Sequence, residues 1–302
     1  MALMNDHISR FLEYLDSEKV YSGLTRKSYN EDLMQFSRFL QKRPGELIRE
    51  IGNIDHLVIR EFLSDLVKQE YSKKSILRKL AAIKSFFKFL YMRRMVERNP
   101  ADLVSSPKLE KKLPHFLYLD ELNEMLDFVR EEDFESVRNK AVIEVLFSTG
   151  VRVSELVGMD LADIDQDSSL VKVRGKGNKE RLVVLGSSSL QALKKYIPLR
   201  NHLLKALNRK EEALVINQKG SRLTDRGVRY VLQTIVKETA LARKVSPHTI
   251  RHTFATYMIN NGCDIRVVQE MLGHVSLSTT QIYTHIMKNK LKDVYEKCHP
   301  HA

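Results

Sequence analysis

At 302 residues the chain is long for one hydrophobic core and comfortable for two domains. With 43% hydrophobic and 29% charged residues it has the balance of a soluble globular protein, and no apolar run reaches the length of a membrane span. A formal net charge of +12 points to a polyanionic partner, nucleic acid ahead of an anionic membrane, because no helix carries the aromatic-plus-lysine face of an interfacial anchor.

The chain opens MALMNDHISRFLEYL, amphipathic with an early acidic residue, which suits neither a signal peptide nor a membrane anchor. Ile8, Phe11, Leu12 and Leu15 share one face of a first predicted helix. A second begins near Thr25, carries Tyr29, Leu33, Phe36 and Leu40 on one face, and stops before Pro44 and Gly45. A third runs from about Asp55, a good N-cap, to Glu70, with Val58, Phe62 and Leu66 on its stripe. A fourth starts at Ser72 with Ile76, Leu80, Ile83, Phe87 and Leu90 at helical spacing, and Asn99-Pro100 ends the series. Residues 1–105 therefore read as a four-helix domain. Residues 106–114 are polar, basic and proline-bounded, the composition of an interdomain linker. Residues 1–112 hold 22 Lys+Arg against 15 Asp+Glu and the remainder 28 against 23, so both parts are basic.

Residues 115–302 read as mainly helical with one β signal. Leu170–Arg174 and Arg181–Leu185 flank Gly175-Lys176-Gly177-Asn178, turn chemistry that makes a hairpin. Ala213–Ile216 is a candidate third strand, and Thr224 and Ser246 are candidate N-caps, the latter with Pro247 at the first helical position. The fold class expected is mainly α with a small antiparallel sheet in the second domain. Cys263 and Cys298 form no metal-like pair and are expected as free thiols in a reducing cytoplasm.

Six residues of this second region make a set able to surround one phosphate: Arg152, Lys176, His248, Arg251, His274 and Tyr283. Arginines fork onto phosphate oxygens, imidazoles move protons, and a tyrosine beside them can attack phosphorus. Each has a plainer reading. Arg152 follows a helix-ending Gly150 and has Glu155 within reach as a surface ion-pair partner. Lys176 sits at a basic hairpin tip. His248, Arg251 and His252 share one helix face, and His248 with His252 has the spacing of two zinc ligands. A metalloprotease would need glutamate after His248, where Thr249 stands, and no cysteine is close in sequence to complete a metal set. His274 follows a C-cap glycine, a common place for a surface histidine, and any one of eleven tyrosines is most often a packing residue.

In order and wording, TGVRVSEL, RGKGNKER, SPHTIRH, MLGHVS and TTQIYTH resemble the tyrosine recombinases, most closely the Xer group. The resemblance covers nearly the whole chain, including the HPHA ending, and none of the six positions departs from the pattern. It implies an N-terminal core-binding domain, a catalytic domain, and a C-shaped clamp on duplex DNA. It implies Tyr283 as nucleophile, His248 as proton acceptor, and Arg152, Arg251 and His274 on the nonbridging oxygens. Lys176 becomes the acid for the leaving oxygen. The product of attack is a 3′-phosphotyrosyl link, with no ATP, cofactor or metal required. It also implies a tetramer on two DNA sites, either of this chain alone or with a paralogue, linked by C-terminal tails docking on neighbouring protomers. The location implied is cytoplasmic, with the nucleoid, and no membrane anchor is expected.

A second basic surface is expected on the first domain. Lys74 and Arg78 lie off the apolar stripe of the fourth helix, flanked by Lys73, Lys79, Lys84 and Lys88, with Arg26 and Lys27 at the start of the second helix. The family places these two helices against the major groove, whereas the plain alternative is a solvated face. The rivals for function are a type IB topoisomerase, a mobile-element integrase or excisionase, and a DNA-binding regulator without catalysis. Only the last leaves the six-residue set unexplained.

Overall fold

The computed structural model describes residues 2–17, 23–42, 51–106, 115–175, 179–239, 241, 244–273 and 285–302. The chain divides into two compact units, Met1–Lys112 and Leu113–Ala302. Most of the segment read as a linker, 107–114, lies outside the described residues.

The first unit is built from α1 (Ala2–Ser17), α2 (Gly23–Gln41), α3 (His56–Lys68) and α4 (Lys73–Met92). Two starts follow directly from capping chemistry. Asp55 accepts from the backbone amides of Leu57 and Val58 to open α3, and Ser72 accepts from that of Ser75 to open α4. The residue read as the end of α3, Glu70, lies just past it in the left-handed region at φ 59°. Ile8, Phe11, Leu15, Leu33, Phe36, Phe62, Leu66, Ile83 and Phe87 close one core between the four helices. Phe11 stacks edge-on against Phe86, and Phe36 packs on Phe62.

The second unit runs α5 (Leu119–Phe128), α6 (Phe134–Thr149), α7 (Val153–Val157), β1 (Ile164–Asp165), β2 (Leu170–Arg174), β3 (Glu180–Val184), α8 (Ser187–Ala206), α9 (Asp225–Glu238), α10 (Pro247–Asn260), α11 (Ile265–Leu272) and α12 (His285–Cys298). Every residue of α6 from Ala141 to Thr149 is buried, which makes it the central helix. The sheet is antiparallel in the order β1-β2-β3, and Val173 opposite Arg181 sets the hairpin register. One face of the hairpin, with Val171, Val173 and Val183, joins the main core. The other, with Leu170, Leu182 and Val184, packs with Phe254, Met258 and Met271. Among the described residues no helix is long and apolar enough to cross a membrane.

One expectation is corrected here. Ala213–Ile216 does not join the sheet: it makes single bridges, Ala213 to Asp160 and Ile216 to Arg222. Its polar atoms are taken elsewhere, the Ile216 amide by the Tyr196 hydroxyl at 3.0 Å and the Ala213 carbonyl by Arg200. The third strand is the two-residue β1. The tail, for which the resemblance implies docking on a neighbouring protomer, is seated within its own unit in the single chain. Tyr295 of α12 is buried and its hydroxyl meets that of Ser148 at 2.9 Å. His299 stacks on Tyr295, and Ser187 donates to the Ala302 carbonyl at 2.7 Å. Leu291, Val294, Tyr295 and Cys298 form a face that fits the groove beside Phe254 and Met258, so the short helix is stabilised by packing rather than by itself.

Candidate active site

The site is organised around one buried carboxylate. The αL glycine Gly150, φ 59°, ends α6, and a Cβ there would run into the Phe254 ring, so the turn needs glycine on both counts. The chain then re-enters a helix with Arg152 at the N-cap of α7. Glu155, three residues on, receives the Arg152 backbone amide at 2.8 Å and one of its guanidinium nitrogens at 2.8 Å. The ion pair given as the plain reading of Arg152 is therefore real. It is not a surface pair: the Glu155 side chain is 4% exposed, and Arg152 at 43% carries the charge outward from it.

Two further guanidiniums meet the same carboxylate. Arg181 of β3 forks both its oxygens, at 3.0 and 2.8 Å, and Arg251 of α10 lies 4.0 Å away. Arg251 also donates to the Gly150 carbonyl at 2.7 Å and to that of Leu272 at 2.6 Å, while Nε of Arg181 donates to Met271 at 2.8 Å. The two arginines thus hold the last carbonyls of α11, where Gly273 at φ 67° caps the helix one residue before His274. A Cβ on Gly273 would press within 3.1 Å of the Arg181 guanidinium.

Three cations around one anion leave an excess of positive charge, and the titrations carry its signature. Burial pushes Arg251 down to about 10, with Arg152 and Arg181 adding to the fall and Glu155 opposing it; it remains a cation at neutral pH. Burial by itself would raise the Glu155 carboxyl, but the hydrogen bonds and charge of Arg181, with those of Arg152, bring it below the usual carboxylate range.

Ser246 caps α10, accepting from the Thr249 amide, and places His248 exposed in its first turn, on the face that carries Arg251 one turn later. His252 is half-buried, and burial followed by the nearby His248 charge lowers its pKa. Among the described residues no group of three or more His, Cys, Asp and Glu is placed to hold a metal.

Of the six residues singled out, Arg152, His248 and Arg251 are described, and the structure brings the two arginines onto one carboxylate from positions far apart in the chain. Lys176, His274 and Tyr283 lie outside the described residues. The described neighbours of Lys176 and His274 do lead to the site. The Gly175 amide bonds the Lys179 carbonyl at 2.8 Å at the base of the hairpin tip, beside Glu155 and Arg181, and Gly273 abuts Arg181. Reading the sequence left out Arg181. Its signal was present: across the register it stands on the face of Val173 and Val183, where a charged residue on a core-facing strand position needs a buried partner.

The basic face of the first unit divides. Lys79 is a correction: 7% exposed, it bonds the buried Asp32 at 2.8 Å and lies over the Tyr71 ring, so it serves the fold and not a ligand. At i+3 from Ile76 and i−4 from Ile83 it belongs to the buried stripe. Arg78 pairs with Asp32 from the other side and bonds Ser28, and Arg26 pairs with Asp16 at 3.1 Å. Lys27, Lys73, Lys74 and Lys88 are exposed, and Lys84 is half-buried.

A helical unit followed by an α+β unit is an organisation that known proteins share. Residues 8–94 match the phage integrase N-terminal SAM-like domain and residues 115–290 the phage integrase family. The chain belongs to the phage integrase family, the tyrosine recombinases. Its relatives place it with the Xer site-specific recombinases. It is 42% identical to the tyrosine recombinase XerC of Pelotomaculum thermopropionicum over 98% of each chain. It is equally 42% identical to that of Anoxybacillus flavithermus over 100% of each. The crystal structure of the XerH site-specific recombinase bound to its difH substrate, a pre-cleavage complex, superposes with a TM-score of 0.68. The identity there is 26%, covering 95% of this chain and 82% of that one.

Proposed function

We propose that this chain cuts and rejoins duplex DNA at a specific site through a 3′-phosphotyrosyl intermediate. The observation that carries the reading is the convergence of Arg152, Arg181 and Arg251 on Glu155, which leaves net positive charge with Arg152 exposed to receive a phosphate. Arg152, Arg251 and His274 take the nonbridging oxygens and stabilise the charge that grows on them at the pentacoordinate transition state. The Tyr283 oxygen bonds phosphorus as its proton passes to His248. The bond to the 5′ oxygen breaks, and that oxygen takes a proton from Lys176. One phosphoester replaces another, so a new 5′ hydroxyl can reverse the step on a different strand without ATP.

The exposed lysines of α2 and α4 supply phosphate contacts that position the duplex. Full mutual coverage with XerC relatives favours resolution of chromosome dimers, in the cytoplasm, over a mobile-element role. Assembly is as a tetramer on two sites, of this chain alone or with a paralogue. Every protomer offers the groove that seats its own tail, so an exchanged tail finds the same contacts on a neighbour. The test is a nicked suicide substrate that traps the covalent adduct: wild type is trapped, and Tyr283→Phe binds the DNA without being trapped. An adduct on that variant, or one mapped to a different tyrosine, overturns the reading.

A further inference from the structure

The β2–β3 hairpin, which has Lys176 in the stretch between its strands, is tied to α7 from both of its faces. On one face Arg181 forks Glu155 of α7, the helix with Arg152 at its N-cap. On the other face Arg174 of β2 reaches the residues that follow α7. Its guanidinium donates to Asp163 at 3.0 Å and to Glu180, its partner across the ladder, at 3.4 Å, and lies 3.7 Å from Asp160. The Asp163 side chain is 5% exposed, and its other oxygen takes the Asp160 backbone amide at 3.0 Å. Asp160 is held in turn by Arg222, which also donates to the carbonyls of Val157 and Met159 at the end of α7.

Ion pairs at a sheet edge are ordinarily minor contributors to stability. That reading suits Lys172 and Glu180, which are 3.8 Å apart and open to water. It does not suit Asp163, a carboxylate withdrawn from solvent at a cost that a neutral side chain would avoid. Among the described residues its one close cation is Arg174, with Lys172 farther off at 3.8 Å. The charge of Asp163 is also the largest of the causes that raise the Arg174 pKa above its ordinary value. Arg174 stands two residues before Lys176, and the Gly175 amide between them bonds the Lys179 carbonyl to close the base of the tip. A lysine ammonium rides on a flexible four-carbon stem, so its reach depends on where the tip begins. The Asp163–Arg174 pair fixes that starting point relative to α7.

We propose that Asp163, acting through Arg174, is a positioning residue for strand cleavage: it sets the hairpin so that the Lys176 ammonium reaches the departing 5′ oxygen. This rests on the reading of Lys176 as the acid. In that step the Tyr283 oxygen bonds phosphorus and the bond to the 5′ oxygen breaks, leaving its electron pair on oxygen. Lys176 gives that oxygen a proton and becomes a neutral amine. An alkoxide is a poor leaving group, so a misplaced ammonium is felt in the rate, and a misplacement of about 1 Å costs on the order of 100-fold. The charge on the nonbridging oxygens is left intact, because Glu155 keeps its own bonds to Arg152 and Arg181.

A substrate that needs no acid separates positioning from plain stabilisation. With sulfur in place of the bridging 5′ oxygen the leaving group is a thiolate, whose thiol ionises near about pH 8.5 and which departs without a proton. Single-turnover cleavage by the full-length protein is measured on a nicked duplex carrying the site mapped from the wild-type adduct, with oxygen or sulfur at the scissile bridge. Asp163→Asn keeps an acceptor for the Asp160 amide and removes the charge that holds Arg174. The expected result is unchanged DNA affinity, cleavage of the oxygen substrate slowed about tenfold, and wild-type cleavage of the sulfur substrate. Arg174→Gln changes a side chain that is 42% exposed and should do the same, with circular dichroism and Tm checked for both. Arg152→Ala loses charge at the phosphate rather than the acid, and should be slow on both substrates.

Asp163→Asn combined with Lys176→Ala should cleave the oxygen substrate no more slowly than Lys176→Ala alone, because the group being positioned is already gone. Wild-type rates on the oxygen substrate in Asp163→Asn and Arg174→Gln, or equal slowing on both substrates, overturn the positioning role and leave a stabilising ion pair. If Asp163→Asn does not fold, the two substrates with Arg174→Gln decide the matter. Lys176→Ala on the sulfur substrate tells the two failures apart. If it regains the wild-type rate while Asp163→Asn does not, only the positioning role falls. If Lys176→Ala stays slow with sulfur, Lys176 is not the acid, and the reading beneath the proposal falls with it.

Discussion

Arg181 holds both oxygens of Glu155, at 3.0 and 2.8 Å, so the carboxylate that anchors Arg152 is itself fixed from a β-strand. The arginine that faces outward borrows its position from one that does not. Arg181→Lys keeps the charge but cannot fork two oxygens and reach the Met271 carbonyl together. We expect it to leave DNA affinity near wild type and to slow single-turnover cleavage by roughly tenfold, as expected where preorganised charge is loosened. Arg181→Met leaves buried Glu155 short of a partner and should cost about 3 kcal/mol in denaturant unfolding as well. Equal cleavage rates for wild type and Arg181→Lys would reduce Arg181 to a purely structural role.

Lys79 and Lys74 are neighbours on α4 with opposite fates, and mutation should separate them. Lys79→Ala strips a buried ion pair from Asp32, leaving Arg78 as its remaining cation, and is expected to destabilise the first unit by about 3 kcal/mol. Replacing the exposed Lys27 and Lys74 with alanine should leave stability within about 0.5 kcal/mol. It should lower the slope of log affinity against log salt by about 2. Urea unfolding and a salt titration of DNA binding read the two outcomes.

Cleavage should continue in excess chelator. In the proposed reaction Arg152 and Arg251, which meet at Glu155, supply the fixed positive charge that a magnesium ion would otherwise bring to the phosphate, and Lys176 gives the proton. Trapping of the suicide substrate in EDTA, compared with added magnesium, checks this. Strict restoration by a single divalent ion would return attention to His248 and His252.

Legibility in the sequence followed how local each feature is. Asp55, Ser72, Thr224 and Ser246 are all caps in the structure, because a cap is a contact within three residues. The hairpin was readable for the same reason. Ala213–Ile216 had strand composition, but whether a run pairs depends on a free edge, and its amides and carbonyls are claimed by Tyr196, Arg200 and Met159 instead. Lys79 misled because its partner Asp32 lies on a different helix. Arg152 and Arg251 were found through motif wording. The Arg152–Glu155 pair is local, three residues apart, and was readable; the arrival of Arg181 and Arg251 at the same carboxylate is a long-range relationship that no spacing rule encodes.

The tail should loosen in mild acid. Burial drives His299 down to about 3, so it packs uncharged, with Nε2 3.3 Å from the Phe147 carbonyl and the ring stacked on Tyr295. The groups around it are His301, whose positive form would disfavour a second charge, and Glu144, which pairs with His301 at 3.4 Å. The folded pKa is depressed below the ordinary imidazole value of 6.5, so the unfolded chain takes up the proton first. The stabilising contribution is complete above pH 6.5 and is lost progressively as pH falls from there toward 3. At pH 5 the loss is about 2 kcal/mol, at about 1.36 kcal/mol per unit. Hydrogen exchange of the α12 amides should therefore speed up between pH 7 and 5, after correction for intrinsic rates, more than that of α6. His299→Phe keeps an aromatic ring against Tyr295 without a titrating group and should flatten that dependence. A pH profile that is the same in wild type and His299→Phe would show that the tail is held by something other than neutral His299.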